Sequence, residues 1–189
     1  MVGTKNNRRT KYTIQLIKEA FLSLLKDTDL SKITVTEICK RADINRGTFY
    51  LHFQDPFDLF SEIESDLMEQ IRPILALKPQ EHLHEWLKRV ICILKENEAA
   101  SRIILADYQN SKMVKEIFTE VHDLAINVFM VDFDEKDPRL LEYYFTYFVK
   151  GTLGTILEWL NNDHETTVDE LTIILTKLLS RTTHRTFES

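Results

Sequence analysis

Cysteine, glycine and proline are all scarce in this chain, and no apolar run is long enough to span a bilayer. The two cysteines, Cys39 and Cys92, belong to no CxxC or Cys/His pattern. They are expected to be reduced, buried small side chains, not a disulfide or metal ligands. Four glycines and four prolines in 189 residues are too few to punctuate a β-sandwich, and they point to helices. The ~20 consecutive apolar residues of a membrane helix are missing. The polar, basic stretch from Met1 to Lys11 has no apolar segment behind it, so it does not read as a signal peptide; the cytoplasm is the expected location. His82-x-His84 has no third ligand nearby, so no metal and no cofactor are expected. A nucleophile elbow, a phosphate-cradling glycine loop and a dinucleotide fingerprint are lacking too. A helical enzyme therefore has no support beyond a pocket. The length suits one or two domains whose core needs no staples.

What is present is an uneven charge. The net charge is −6, but residues 1–54 hold ten Lys and Arg against five Asp and Glu, while residues 55–189 hold fourteen against twenty-five. A basic head on an acidic body is what local phosphate binding requires. Chance clustering on a solvated face is the competing explanation from charge alone.

Helical spacing runs the length of the chain. Ile14, Ile17, Phe21, Leu24 and Leu25 define a first helix over 11–27. Thr34 and Glu37 form a capping box for a second, with Val35, Ile38, Cys39 and Ala42 as its apolar face. Asn45 is an N-cap for a third short helix that carries Phe49 and Phe53. Asp55-Pro56 starts a fourth, as cap and first position; it should run to about Ile71, with Arg72-Pro73 ending or kinking it. Further helices are expected near 80–96, 98–108, 111–131, 138–161 and 167–182, the last opened by a second capping box, Thr167 with Glu170. The predicted fold is all-α, with about nine helices: an N-terminal three-helix helix-turn-helix domain, then a larger helical domain.

The functional signal lies in the first three helices. In a helix-turn-helix the second helix braces the third, whose N-terminal residues enter the major groove. Residues 35, 38, 42, 44, 49 and 53 are apolar and would hold the tripod. That leaves Asn45, Arg46, Gly47, Thr48, Tyr50 and His52 facing outward, a poor set for packing and a good one for phosphate and base contacts. Gly47 would let backbone approach DNA closely.

The run Ile33-Thr-Val-Thr-Glu-Ile-Cys-Lys-Arg-Ala-Asp-Ile-Asn-Arg-Gly-Thr-Phe-Tyr-Leu-His-Phe53 resembles the signature of the TetR/AcrR family of transcriptional regulators, and Leu59 and Phe60 continue the likeness. The resemblance implies that Thr34, Thr36, Tyr50 and His52 touch phosphates, that Arg46 and Thr48 lie nearest base edges, and that Ile38, Phe49 and Phe53 are core. Two positions depart from the family. Asp43 stands where the turn usually has Gly, and Asp tolerates a left-handed backbone better than most residues. Pro56 stands where a phosphate-binding Lys is common, and Asp55 and Asp58 add negative charge beside it. The arm carrying Lys5, Arg8, Arg9 and Lys11 is expected to compensate; without DNA a solvated tail fits equally.

The same resemblance assigns residues 72–189 to effector binding and dimerisation, with residues 1–54 as the DNA-binding domain and 55–71 as a connector. Gly151, Thr152, Gly154 and Thr155 put small residues inside one helix, where each Gly costs about 1 kcal/mol relative to Ala and so calls for a packing reason. With Leu171, Ile174, Leu175 and Leu178 on the last helix, Gly151, Gly154 and Thr155 form the expected homodimer interface. Phe148-x-x-Gly-x-x-Gly-x-x-x-x-Trp159 also resembles a subgroup related to dihydroxyacetone kinase regulators. Candidates for an effector pocket are Trp86, Tyr108, Phe118, His122, Tyr144 and Tyr147; His84 is a further aromatic in this region. The implied function is that of a sequence-specific regulator of a double-stranded operator, a repressor released by a small molecule. The alternative is a TetR-like coactivator or sensor that works through protein partners with weak DNA affinity.

Overall fold

The computed structural model describes the backbone of residues 3–76, 79–162 and 165–183, and the side chains of 8–76, 83–162 and 165–179. The side chains of Lys5 and His82 thus lie outside the described residues. Among the described residues there are nine α-helices and no strand: α1 (Gly3–Leu25), α2 (Val35–Ala42), α3 (Arg46–Tyr50), α4 (Pro56–Leu75), α5 (Pro79–Glu96), α6 (Glu98–Ala106), α7 (Lys112–Asp132), α8 (Pro138–Asn162) and α9 (Val168–Thr183). A single 3-10 turn, Leu30–Lys32, precedes α2. The chain divides into two compact units, Met1–Asp66 and Leu67–Ser189, and the division falls inside α4.

In the first unit α1 packs on α2 and α2 on α3. Ile17 and Phe21 of α1, Ile38 of α2, Phe49 of α3 and Leu59 of α4 are fully buried, and Phe21 meets Phe60 edge-on at 6.4 Å. Local chemistry sets the boundaries. The Thr34 hydroxyl accepts from Glu37 N, and the Glu37 carboxylate accepts from Thr34 N at 2.8 Å, a reciprocal cap. Asp43 ends α2 with φ 52° and ψ 48°, in the left-handed region. Asn45 then accepts from Thr48 N at 2.8 Å and starts α3. Asp55 accepts from Phe57 N and Asp58 N, while Asp58 accepts from Gln54 N. Two carboxylates therefore sit on the positive end of α4, where backbone N–H groups offset their charge.

Three expectations need correction. α1 begins at Gly3, well before residue 11, because the arm's polar residues continue the helix. α4 runs through Pro73 to Leu75: the proline's missing N–H and its ring act on the turn before it, where one backbone bond is forfeited, and do not prevent the next two residues from closing the helix. Cys92 is only partly buried, whereas Cys39 is buried as expected.

In the second unit α5 packs on α9 and α6, α8 on α6 and α7, and α7 on α9. Ile91, Ile104, Leu141, Leu160 and Leu175 form its fully buried centre. The Trp159 indole donates to Thr166 O at 2.8 Å, tying the end of α8 to the approach to α9. The Thr167–Glu170 box is formed at 2.8 and 3.2 Å. No described helix is long and apolar enough to cross a membrane.

Candidate functional site

The head presents α3 on a rigid base. Phe49 is buried against Phe53, with ring centroids 5.7 Å apart, which turns the opposite side of the short helix outward. Thr34, Thr36, Asn45, Arg46, Gly47 and Tyr50 are exposed, and Thr48 and His52 are half-buried. Thr34 and Thr36 lie at the cap and start of α2, Asn45, Arg46, Gly47, Thr48 and Tyr50 at the cap and along α3, and His52 just beyond its end; the hydrogen bonds differentiate them. Thr34 donates its hydroxyl proton to Glu37 at 2.7 Å, so a phosphate would have to compete for it. These bonds, the side-chain one first, hold the Glu37 carboxyl below the usual range. Thr48 donates to Asn45 Oδ1 at 3.1 Å and keeps lone pairs to accept. The Arg46 guanidinium donates to Thr36 Oγ1, which links α3 to α2 and leaves the Thr36 proton to donate. Tyr50 stands out into solvent at 57% exposure. A Cβ built on Gly47 would lie 3.2 Å from Asn45 Oδ1, so the glycine also makes room for the cap. Burial pushes the Cys39 thiol up, against the opposing pull of Arg46, consistent with a packing role.

The second unit encloses a cavity of about 480 Å³ between its helices, within the range of small-molecule sites. Its described lining is apolar apart from Asp132 and Thr152. Trp86 and Phe118 line it; Tyr108, His122, Tyr144 and Tyr147 do not. Trp86 contributes its ring, since Nε1 is covered and has no acceptor among the described residues. Tyr144 and Tyr147 line a separate, more open hollow of about 420 Å³ with Phe133, Leu140, Tyr143 and Phe148. Tyr108 is half-buried, and its hydroxyl accepts a long 3.5 Å bond from Gln109. His84 bonds Thr176 at 3.3 Å. Sequence reasoning missed Asp132, although a signal existed: it follows Val121, Ala125 and Phe129 at helical spacing on the apolar face of α7. Thr152, grouped above with the small residues of α8, faces this cavity.

His122 joins α7 to α8, with Asp123 Oδ1 at 3.1 Å and Glu142 Oε1 at 3.0 Å, and its ring meets Phe145 edge-on at 4.8 Å. The bond to Asp123, and then the bond to Glu142 against the cost of burial, raise its pKa. The folded state thus favours the imidazolium. Its stabilisation is full below the unfolded value of about 6.5 and is lost as pH rises through the raised folded value. Thermal melts should therefore fall as pH rises above about 6.5 in the wild type and flatten in His122→Gln. An unchanged slope in the variant would remove His122 from the account.

Of the expected interface residues, Gly151 and Gly154 are exposed, with nothing within 4 Å of a built Cβ. Their small size thus has no packing reason among the described residues. Thr155 is half-buried and bonds Gly151 O at 2.8 Å. On α9, Leu171 and Leu175 are 2% exposed, whereas Ile174 is 46% and Leu178 57% exposed. The α9 stripe is therefore divided: one edge packs inside the chain, and the other faces out.

A basic helix-turn-helix head and a separate all-helical unit with a cavity define a class, the helical one-component regulators. Residues 17–63 match the bacterial regulatory proteins of the tetR family, and residues 81–181 match a transcriptional regulator C-terminal region of that family. The chain belongs to the TetR family of DNA-binding transcriptional regulators. Its similarity to YxbF of Bacillus subtilis (strain 168), an uncharacterized HTH-type transcriptional regulator, is 28% identity over 154 residues, covering 78% of this chain and 39% of that protein. The chain thus spans about two fifths of the length of that relative. Among solved structures, a TetR-like transcriptional regulator from Rhodococcus sp. RHA1 superposes with a TM-score of 0.65 at 16% identity, over 89% of this chain and 94% of that one. The dihydroxyacetone kinase operon activator DhaS does so with a TM-score of 0.52 at 19% identity, over the same shares. These likenesses are of fold.

Proposed function

We propose that this protein is a sequence-specific, cytoplasmic DNA-binding repressor that acts as a homodimer and leaves its operator when a small molecule fills the cavity of the second unit. Residues 1–54 contact DNA, 55–71 connect, and 72–189 bind effector and partner subunit. The observation that carries the reading is α3: a helix anchored by buried Phe49 and capped by Asn45, with Arg46 and Tyr50 exposed on its outer side. Phosphate contacts from Thr34, Thr36, Tyr50 and His52 would set the register, and Arg46 with Thr48 would read base edges. The half-buried Thr152 and Asp132, among apolar neighbours, suit a ligand that is apolar over most of its length. An effector acts only through a difference in affinity between DNA-competent and DNA-incompetent states.

Dimerisation is supported by the open face at Gly151 and Gly154 and by exposed Ile174 and Leu178. A two-fold dimer reads two inverted half-sites about one helical turn apart, or a multiple of it. Selection from a random duplex library should therefore enrich an inverted repeat, and light scattering at micromolar concentration should show a dimer. Enrichment of a single half-site with a monomeric mass would overturn the dimer. No enrichment at low salt would overturn operator reading altogether and leave the protein-partner alternative.

A further inference from the structure

The described lining of the cavity contains one charged side chain, the carboxylate of Asp132, and no Lys, Arg or His. We propose that the cavity takes an amphiphile with an extended apolar body and a cationic head, and that Asp132 and the neighbouring rings of Phe129 and Phe148 receive the head. This rests on the effector reading above and adds to it the charge of the ligand.

The argument begins with Asp132 itself. It is the last residue of α7, and a carboxylate there stands at the negative end of the helix dipole, where a cation would be favoured. It enters no ion pair among the described residues, so its charge is not offset from within. The side chain is half-buried at the cavity's edge, where it can meet a ligand. The carboxylate and the last carbonyls of α7 together make this end of the cavity attract positive charge.

The aromatic residues agree. Phe129 lies one helical turn before Asp132, and its ring stacks on Phe148 with centroids 4.8 Å apart, so only the outer face of each ring is left for a cation. Ring faces attract cations, and most strongly where water is partly excluded. A carboxylate or phosphate head would meet the opposite situation. It would lose hydration against an apolar wall, find no described cation on the lining, and be repelled by Asp132. The remainder of the cavity, with Ile91, Val121 and Ile156 among its walls, suits an unbranched apolar body.

Three probes of equal chain length separate the charge classes: dodecyltrimethylammonium, dodecanol and dodecanoate. Each is titrated calorimetrically into the full chain below its micellar concentration, with melts to confirm folding, against wild type and Asp132→Asn. The ammonium probe should bind the wild type about tenfold more tightly than the other two. Asp132→Asn should abolish that preference and leave dodecanol binding unchanged. Equal or tighter binding of dodecanoate or dodecanol by the wild type overturns the charge assignment and leaves the effector reading standing. So does a preference that survives in Asp132→Asn. Binding of none of the three overturns the proposal; the effector reading is then decided by whether Thr152→Trp, which intrudes into the cavity, alters DNA affinity.

Discussion

Replacing Phe49 by alanine should unfold the DNA-binding head. The side chain is 0% exposed and sits between Tyr50, edge-on with centroids 5.7 Å apart, and Phe53, tilted at the same distance. Removing a buried phenylalanine costs about 3–5 kcal/mol, from lost transfer energy and from the cavity left behind. A compact unit of this size has a total stability of roughly 3–10 kcal/mol, so the loss consumes most of it. The neighbours are poorly placed to collapse into the gap, because α3 is only five residues long and is held at its start by the Asn45 cap. Hydrogen exchange should show α2 and α3 amides losing protection, while α5 and α9, in the other unit, keep theirs. Operator binding should disappear with the head. If α2 and α3 stay as protected as in the wild type, Phe49 is not the keystone of this unit.

Arg46→Ala should weaken the selected operator by about 1–3 kcal/mol, or roughly 5- to 150-fold, if the guanidinium makes a bidentate contact with guanine. Arg46 is the only cation of α3, and its side chain is exposed. Its bond to Thr36 holds it beside α2 in the free protein and can be exchanged for a base edge. Random duplex should lose much less, since it forfeits one phosphate-range charge and no base readout. Tyr50→Phe forms the contrast: it removes a hydroxyl suited to phosphate, so operator and random DNA should weaken alike. Both variants should melt like the wild type, because neither side chain is buried. Titrations at two salt concentrations separate the effects. Equal operator binding by Arg46→Ala and wild type would take the base-reading role from Arg46.

Much of the head was legible in residue order because its signals are local. A capping box closes within three residues, so Thr34 and Glu37 announce α2 without reference to anything distant. Asn45 announces α3 in the same way. Asp43 is placed at the turn position by the family resemblance, and it can serve there because Asp tolerates φ near +50° better than most residues. Ile17, Phe21, Ile38 and Phe49 were recognisable as core from helical period, which places them on one side of each helix. In the second unit the same period marked out α5 to α9, and Asp137-Pro138 and Thr167 marked where two of them begin.

Tertiary packing decided what period alone leaves open. An amphipathic stripe says that a face is covered, not by what. Leu171 and Leu175 are covered by this chain's own helices, while Ile174 and Leu178 on the same stripe are left outside. Tyr144 and Tyr147 have the composition of pocket residues, yet the rotation of α8 turns them to an outer hollow and brings Phe145, Phe148 and Thr152 to the cavity. Asp132 lies just past the 111–131 expected for its helix; only the packing of α7 on α8 makes it the charged member of an apolar lining. Pro73 reads as a stop, but its ring and missing N–H bear on the turn before it, and only the fold shows that the helix carries on to Leu75. Short-range hydrogen bonds and periodicity are encoded within a few residues, whereas cavities and faces arise from helices remote in sequence, whose rotations are set by mutual packing.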